Sequence, residues 1–303
     1  MRNTSANVIP RMERVTDDTT FGRLEDSDRA RAVRSWHEGD VQGILHADGL
    51  GYFLLNLYGA VQTTTVSGSV KDHEFSLEQS ISHPTLTLFL KDGDVRDVAL
   101  NGGVVKQLEI SAATDDYLRF STSFEARNEA DVETDPATDV EYDFIARDIT
   151  LKIASSEGGL GAAPAIPAKT LNITWDAGTI RDHTFGDRRP SNIHNGAFSI
   201  EGSFSRNYVD QTFEDLYKDG DQSRYLQIVI EGEANIGSTY HPTITILFNK
   251  VMVTDWGREG GADELVEEEV TFKAFFNAAD GEQSTIKLRN VTASYEAEEE
   301  SSS

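Results

Sequence analysis

The sequence predicts a mainly β protein with some α+β character, built as two tandem units, each an antiparallel β-sandwich or half-barrel carrying one packed α-helix. Three observations lead there. Most segments alternate in hydrophobicity with the two-residue period of a strand; helical spacing occurs at only two places; and those two places resemble each other.

The helical places are residues 41–59, "VQGILHADGLGYFLLNLYG", and 200–220, "IEGSFSRNYVDQTFEDLYKDG". Laid on each other at one constant offset, Gly43 meets Gly202, Leu50 meets Val209, Leu54 meets Phe213, Leu57 meets Leu216 and Tyr58 meets Tyr217. Leu50, Leu54, Leu57 and Tyr58 fall at i, i+4, i+7 and i+8, as do Val209, Phe213, Leu216 and Tyr217, so each set predicts an apolar packing stripe on a short helix. Asp48 and Asn207 are placed to cap the helix starts, and Gly59 and Gly220 to end them.

Strand alternation covers "PTLTLFL" (84–90), "QLEIS" (107–111), "LRFSTSFEAR" (118–127), "ITLKI" (149–153), "YLQIVIEG" (225–232), "PTITILFNKVMV" (242–253), "EVTFKAFF" (269–276) and "TIKLRNVTASY" (285–295). In the third of these, Phe120, Thr122, Phe124 and Ala126 share one face while Ser121, Ser123 and Glu125 share the other. Val270, Phe272 and Ala274 oppose Glu269, Thr271 and Lys273 in the same way. One packed face and one wet face is the habit of antiparallel sheets.

The repeat extends beyond the helix. "TFG" occurs at 20–22 and 184–186, "FEARNEA" (124–130) resembles "FKAFFNAA" (272–279), and "RDIT" (147–150) resembles "RNVT" (289–292). These pairs predict one β-rich unit over 1–160 and a second over 161–303, joined by the Gly, Ala and Pro stretch "SSEGGLGAAPAIPAK" (155–169) read as a linker. Residues 57–75 and 254–269 read as long polar arms that touch a neighbour, and the acidic tail at about 297–303 as disordered.

Composition narrows the function. No apolar run approaches the roughly 18–20 residues that span a bilayer, and "MRNTSANVIPRMERVTDD" has no apolar signal region, so a soluble, non-exported chain without a membrane partner is expected. Cysteine is absent, which excludes disulfides and thiolate chemistry. With 52 Asp and Glu against 27 Lys and Arg, the net charge of −25 disfavours sequence-reading of nucleic acid. Only 9 of the 27 bases are lysine. One reading is a surface for concentrated salt, where carboxylate repulsion is screened over about 3 Å at 1 M; the other is an ordinary acidic surface.

Catalytic patterns do not emerge. His37, His46, His73, His83, His183, His194 and His241 show no metal-binding spacing, and neither a nucleophile elbow nor a phosphate loop occurs. "KDGD" at 91–94 and 218–221 lacks the later ligands of a calcium loop and reads as turn chemistry. The "NIT" (172–174) and "NVT" (290–292) triplets lie in predicted strands and receive no role. No enzyme activity, cofactor or metal is expected.

Three segments carry a family likeness: "GDVQGILHADGLGYFLLNLYG" (39–59), "GAFSIEGSFSRNYVDQTFEDLYKDGD" (196–221) and "LVEEEVTFKAFFNAADGEQSTIKLRNVTASY" (265–295). In pattern and order the chain resembles the duplicated tail tube proteins of long-tailed, siphovirus-like viruses. The resemblance implies two tail-tube-like units that join their neighbours into a continuous ring barrel, three chains to a pseudo-hexameric ring, the rings stacking into a tube that conducts viral DNA during ejection. It implies as partners other copies of the chain, the tape measure, baseplate and terminator proteins, and DNA passing without sequence-specific binding. It also implies a place in the virion tail after assembly in the host cytoplasm. The wet face then becomes the lumen wall, lined by Ser121, Ser123, Glu125, Glu269, Thr271 and Lys273, and the acid excess points to a virus of a halophilic archaeon.

Other readings remain open: a carbohydrate- or ligand-binding β-sandwich using Trp36, Trp175 or Trp256, an enzyme without a readable motif, or another tail ring component such as a terminator or baseplate part. The salt reading is directly measurable. The thermal unfolding midpoint should rise as KCl approaches molar concentration; a flat or falling midpoint identifies an ordinary acidic surface.

Overall fold

A computed structural model of the chain describes residues 3–17, 29–92, 95–132, 141–261 and 265–296. The "TFG" at 20–22, the end of the first "KDGD" and the acidic tail from 297 lie outside the described residues. The chain begins with the hairpin β1 (Asn3–Thr16) and β2 (Ala30–Ile44), followed by α1 (Leu50–Tyr58) and the hairpin β3 (Gly59–Ser67) and β4 (Val70–Leu77). Then come β5 (Leu86–Asp92), β6 (Arg96–Ala113), β7 (Arg119–Ala126) and β8 (Asn128–Asp131). β9 (Ile149–Ala154) and β10 (Ala165–Ile166) lead to β11 (Ala168–Asp176), a small ribbon of β12 (Ile180–Asp182) and β13 (Asn192–His194), and β14 (Ser199–Asn207). α2 (Thr212–Asp219), β15 (Arg224–Glu231), β16 (Thr243–Glu259), β17 (Glu267–Ala274) and β18 (Ser284–Asn290) complete the chain.

Sixteen strands form one antiparallel sheet in the order β1-β2-β7-β6-β11-β14-β17-β16-β15-β9-β10, with β18, β4 and β3 added on β16, and β5 and β8 on β6. The sheet is open and does not close into a barrel within one chain. The order β1-β2-β7-β6 is matched by β11-β14-β17-β16, with a helix after the second strand of each set.

The long strands β6 and β16 each serve two sets of partners. The first half of β6 pairs with β5 and β8, and its second half with β7 and β11. The change is made at a bulge where Lys106 is the extra residue, which lets Val105 and Leu108 both point into the core despite their odd spacing. β16 carries its bulge at Thr254, between Val253 and Asp255, and the residues facing the two bulges are Phe124 and Phe272. On the next strand Phe124 lies opposite Gly39 and Phe272 opposite Gly202. A Cβ on Gly202 would fall 2.5 Å from the Phe272 ring and one on Gly39 would fall 1.8 Å from Asn7 O, so both positions require glycine.

This register corrects the alignment read from sequence. In strand register Gly39, four residues before Gly43, matches Gly202, whereas the helix-ending Gly59 and Gly220 lie two residues off the offset read from sequence. α1 buries Leu50, Leu54, Leu57 and Tyr58 as expected. On α2 only Phe213 and Leu216 are buried; Val209 precedes the helix and is 66% exposed, and Tyr217 is 41% exposed. Neither Asp48 nor Asn207 caps a helix: Gly49 and Gln211 occupy those positions, and Asn207 ends β14. Gly59 and Gly220 end the helices with positive φ, as predicted. "RDIT" and "RNVT" are not counterparts, since the first enters β9 and the second leaves β18.

Residues 57–75, expected as a polar loop, form most of the β3 and β4 hairpin, whose β4 pairs with β18. Much of 254–269 is also strand, in β16 and β17. The expected linker 155–169 turns back through β10 onto β9, which itself pairs with β15. Strands therefore cross the 160/161 boundary in both directions, and their pairing makes one hydrophobic core from both halves.

Buried hydrogen bonds tie the halves together. Trp175 Nε1 donates to Tyr58 Oη (3.0 Å), and Tyr58 Oη lies 2.8 Å from Ser284 Oγ. Burial pushes the Tyr58 phenol well above its ordinary pKa, keeping it neutral. The C-terminal segment locks onto the start of α1: Asn290 Nδ2 donates to Ala47 O (3.0 Å) and Tyr295 Oη to Asp48 O (2.8 Å). Among the described residues no helix is long and apolar enough to cross a membrane.

Tyr58→Phe strands the Trp175 donor in the core and should lower the unfolding free energy by about 1–3 kcal/mol. Urea titration would measure this, with half-exposed Tyr52→Phe expected to be near neutral.

Candidate functional site

The most distinctive surface is the polar face of the sheet, because the pairing makes it continuous across both halves. Ser121, Glu109, Thr174, Glu201, Lys273 and Met252 occupy directly paired positions on β7, β6, β11, β14, β17 and β16. The adjacent row runs Arg119, Ser111, Asn172, Ser203, Thr271 and Asp255. Hydroxyls, amides and carboxylates thus alternate across the sheet, cross-linked by Asn172 Nδ2 to Glu109 Oε1, Lys273 Nζ to Glu201 Oε1 and Ser123 Oγ to Asp40 Oδ1, each 2.7 Å. Ser121, Ser123, Glu269, Thr271 and Lys273 all lie open or half-open on this face.

Glu125 differs. It is 4% exposed, since Arg181 of the β12 and β13 ribbon reaches over it, with Nε 3.8 Å from Oε2, while Lys106 Nζ is 3.9 Å from Oε1. Burial raises its pKa against the pull of these two cations. Arg181 is held by Glu38 (3.2 Å) and stacks 4.1 Å above the Trp36 ring. For Glu38 burial also acts upward, but the Trp36 hydrogen bond and the charges of Arg181 and Arg11 outweigh it and leave the carboxyl below its ordinary range. Alternation puts Glu125 on the strand side of Ser121 and Ser123, but a covering ribbon distant in sequence buries it, against the expectation of an open residue.

A second buried charge group lies on the packed side. Arg206 Nε meets Glu268 Oε1 at 2.6 Å, Trp256 Nε1 donates to Glu268 Oε2 at 2.7 Å, and Arg206 also holds Asp210 (2.9 Å). With the Thr212 hydrogen bonds, Arg206 lowers the Asp210 pKa to about 2. Gly43 and Phe120, the matching pair in the register of β2 and β7, carry no charge.

Nothing in these groups forms a catalytic arrangement. Among the described residues no three or more His, Asp or Glu side chains form a group that could hold a metal ion. His37 pairs with Glu129 and His46 with Glu141, while His73 and His83 hydrogen-bond within the fold. The three tryptophans are separately engaged: Trp175 is buried, Trp36 lies under Arg181 and Trp256 binds Glu268.

What the site offers is a polar sheet face that, among the described residues, ends on an open strand edge at β1 and at 252–259 of β16. A family model described as phage tail tube protein matches residues 5–274. The chain belongs to the phage tail tube protein family. This tail tube protein is accordingly a structural component of the virion tail. Among solved structures it is similar to the SPP1 tail tube determined by solid-state NMR and cryo-EM, at 14% identity and a TM-score of 0.34, covering 50% of this chain and 81% of that one. No curated protein matches the sequence.

Glu125 supplies a pH test. Its folded-state pKa lies above the unfolded one, so its ionisation costs nothing below about pH 4, near the unfolded glutamate value of about 4.3, and an increasing amount as pH rises toward the folded value. Glu125→Gln should therefore become more stable than the parent as pH is raised from 4 to 7, with the two converging in acid. A difference independent of pH would show that the carboxyl titrates normally.

Proposed function

We propose that this tail tube protein assembles as stacked rings of three chains, each chain contributing two equivalent sheet-and-helix units to a pseudo-sixfold wall, and that viral DNA passes along the polar face during ejection. The observation that carries this reading is the repeated strand order with its bulges in register. Lys106 and Thr254 are extra residues at corresponding places in β6 and β16, and Thr4 and Lys169 at corresponding places in β1 and β11. Independent units would have no reason to share both bulges. Two units joined through β6 and β11 inside a chain can join by the same contact between chains, and three chains then supply six units.

The lumen wall in this proposal is the face carrying Ser121, Ser123, Glu269, Thr271 and Lys273, with Glu125 beneath the Arg181 ribbon. Hydroxyls and amides hold water, and carboxylates such as Glu109 and Glu201 repel phosphate, so DNA slides without being trapped. In molar salt that repulsion reaches only about 3 Å, and hydration dominates. The excess of acid over base supports a halophilic archaeal host for the virus. Other copies of the chain, the tape measure, the terminator and the baseplate are its partners, and assembly takes place in the host cytoplasm.

Negative-stain microscopy of the purified chain across salt concentrations up to molar tests the proposal. End-on views of hollow tubes with threefold or sixfold symmetry are the expected result. Rings that stop at one layer would assign the chain to a terminator or baseplate position, and monomers at every salt concentration would count against ring assembly.

A further inference from the structure

Among the described residues β3, β5, β8 and β10 have a partner on one side only, and two further open edges bound the strands that carry the polar face. Among the described residues, β1 pairs only with β2, and 252–259 of β16 pair only with β17. The corresponding edges inside the chain are joined to each other: 107–113 of β6 pair with 170–176 of β11. Edges of this kind bind other strands unless they are covered.

We propose that the free edge of β16 pairs with β1 of a second copy of this chain, in the register of the internal β6 and β11 join. The inference rests on the ring reading above and supplies its interface. Matching the bulges sets β11 residues Thr170–Asp176 against β1 residues Ser5–Arg11, and Gln107–Ser111 against Asp255–Glu259. The seam then places Asp255 opposite Arg11, Gly257 opposite Ile9 and Glu259 opposite Asn7, with Arg258 opposite Val8 and Trp256 opposite Pro10.

The backbone groups point the right way. Leu45 N–H donates to Leu118 O on the β7 side of β2, so by ladder alternation Asn7 and Ile9 turn their backbone groups to β2 while Ala6, Val8 and Pro10 turn theirs outward. Phe275 N–H donates to Lys250 O, which by the same alternation leaves Trp256 and Arg258 facing outward on β16. Val8 and Arg258 therefore exchange backbone hydrogen bonds. Pro10 ends the ladder because it has no N–H, and opposite it the Trp256 N–H is already accepted by Asp255 Oδ1 (3.0 Å).

Side chains across the seam are complementary as well. Arg11 and Asp255 carry opposite charges, Ile9 faces a glycine with no side chain to exclude it, and Asn7 offers a donor to Glu259. Ala6 and Val8 are half-exposed in the single chain, whereas their counterparts Leu171 and Ile173 are buried under the internal join. That difference is what a missing neighbour leaves.

Asn7 and Glu259 form a non-hydrogen-bonded pair, for which the Cα separation is about 4.5 Å, inside the disulfide range of about 4.4–6.8 Å. In this cysteine-free chain, Asn7→Cys with Glu259→Cys should oxidise in assembled rings to covalent trimers on a non-reducing gel. Ser111→Cys with Asn172→Cys should close within one chain as the internal control. Rings that form without crosslinking, while the control closes, would overturn the seam and leave the ring reading standing. Preferential crosslinking of Asn7→Cys with Gly257→Cys would overturn the register. Failure of the unmodified chain to form rings or oligomers at any salt concentration would overturn both readings. Hydrogen exchange on the unmodified chain provides the check if the cysteines disturb assembly: the amides of Val8 and Arg258 should gain protection on ring formation while that of Ile9 stays unchanged, and unprotected Val8 and Arg258 amides in rings would refute the seam.

Discussion

The need of strand edges for partners organises this molecule, and of the pairings that meet it between the two halves, β4 with β18, β9 with β15 and β6 with β11, the last carries the polar face across. Without that join, each half would present a bare ladder of N–H and C=O groups beside an apolar face. With it, Leu108 meets Trp175 and Ile110 meets Ile173 on the packed side, while Glu109 meets Thr174 on the polar side. One contact thereby extends both the core and the wet face across the chain.

The bulges at Lys106 and Thr254 make this economical. Each allows one long strand to serve two groups of partners, and each resets the inward and outward phase so that apolar residues on both sides of the bulge reach the core. The core then closes through contacts distant in sequence: Tyr58 with Trp175 and Ser284, and Asn290 and Tyr295 with the residues just before α1. Removing any of these polar partners leaves a buried group unsatisfied, so the C-terminal strand of the second half is as much a part of the first helix's environment as the first half itself.

Much of this was legible beforehand where period and punctuation agreed. The alternation of 118–127 and 269–276 located β7 and β17 and their faces, and Gly59 and Gly220 ended the helices as expected. The hairpin of β1 and β2 escaped because its charged residues, such as Arg11, Glu13, Arg31 and Arg34, interrupt any clean alternation in an arm wet on both sides. The β3 and β4 hairpin escaped because Thr and Gln residues that satisfy an exposed strand also suit a polar loop. The α2 stripe holds only at its centre, Phe213 and Leu216, because Val209 and Tyr217 fit the helical period while the first precedes the helix and the second stays exposed on it.

The sequence by itself determined the local geometry: strand alternation, two short helices, a polar face opposed to an apolar one, a strongly acidic surface and the absence of thiol chemistry. Those properties follow from side-chain periodicity and ionisation, which act over a few residues. The tertiary structure alone decided which edges are joined and which stay open, that β4 completes the sheet beside β18, and that Arg181 covers Glu125. Pairing between strands far apart in the sequence depends on the register and twist of everything between them. No local pattern encodes that, so the continuity of the polar face and the position of its two free edges became visible only in the folded chain.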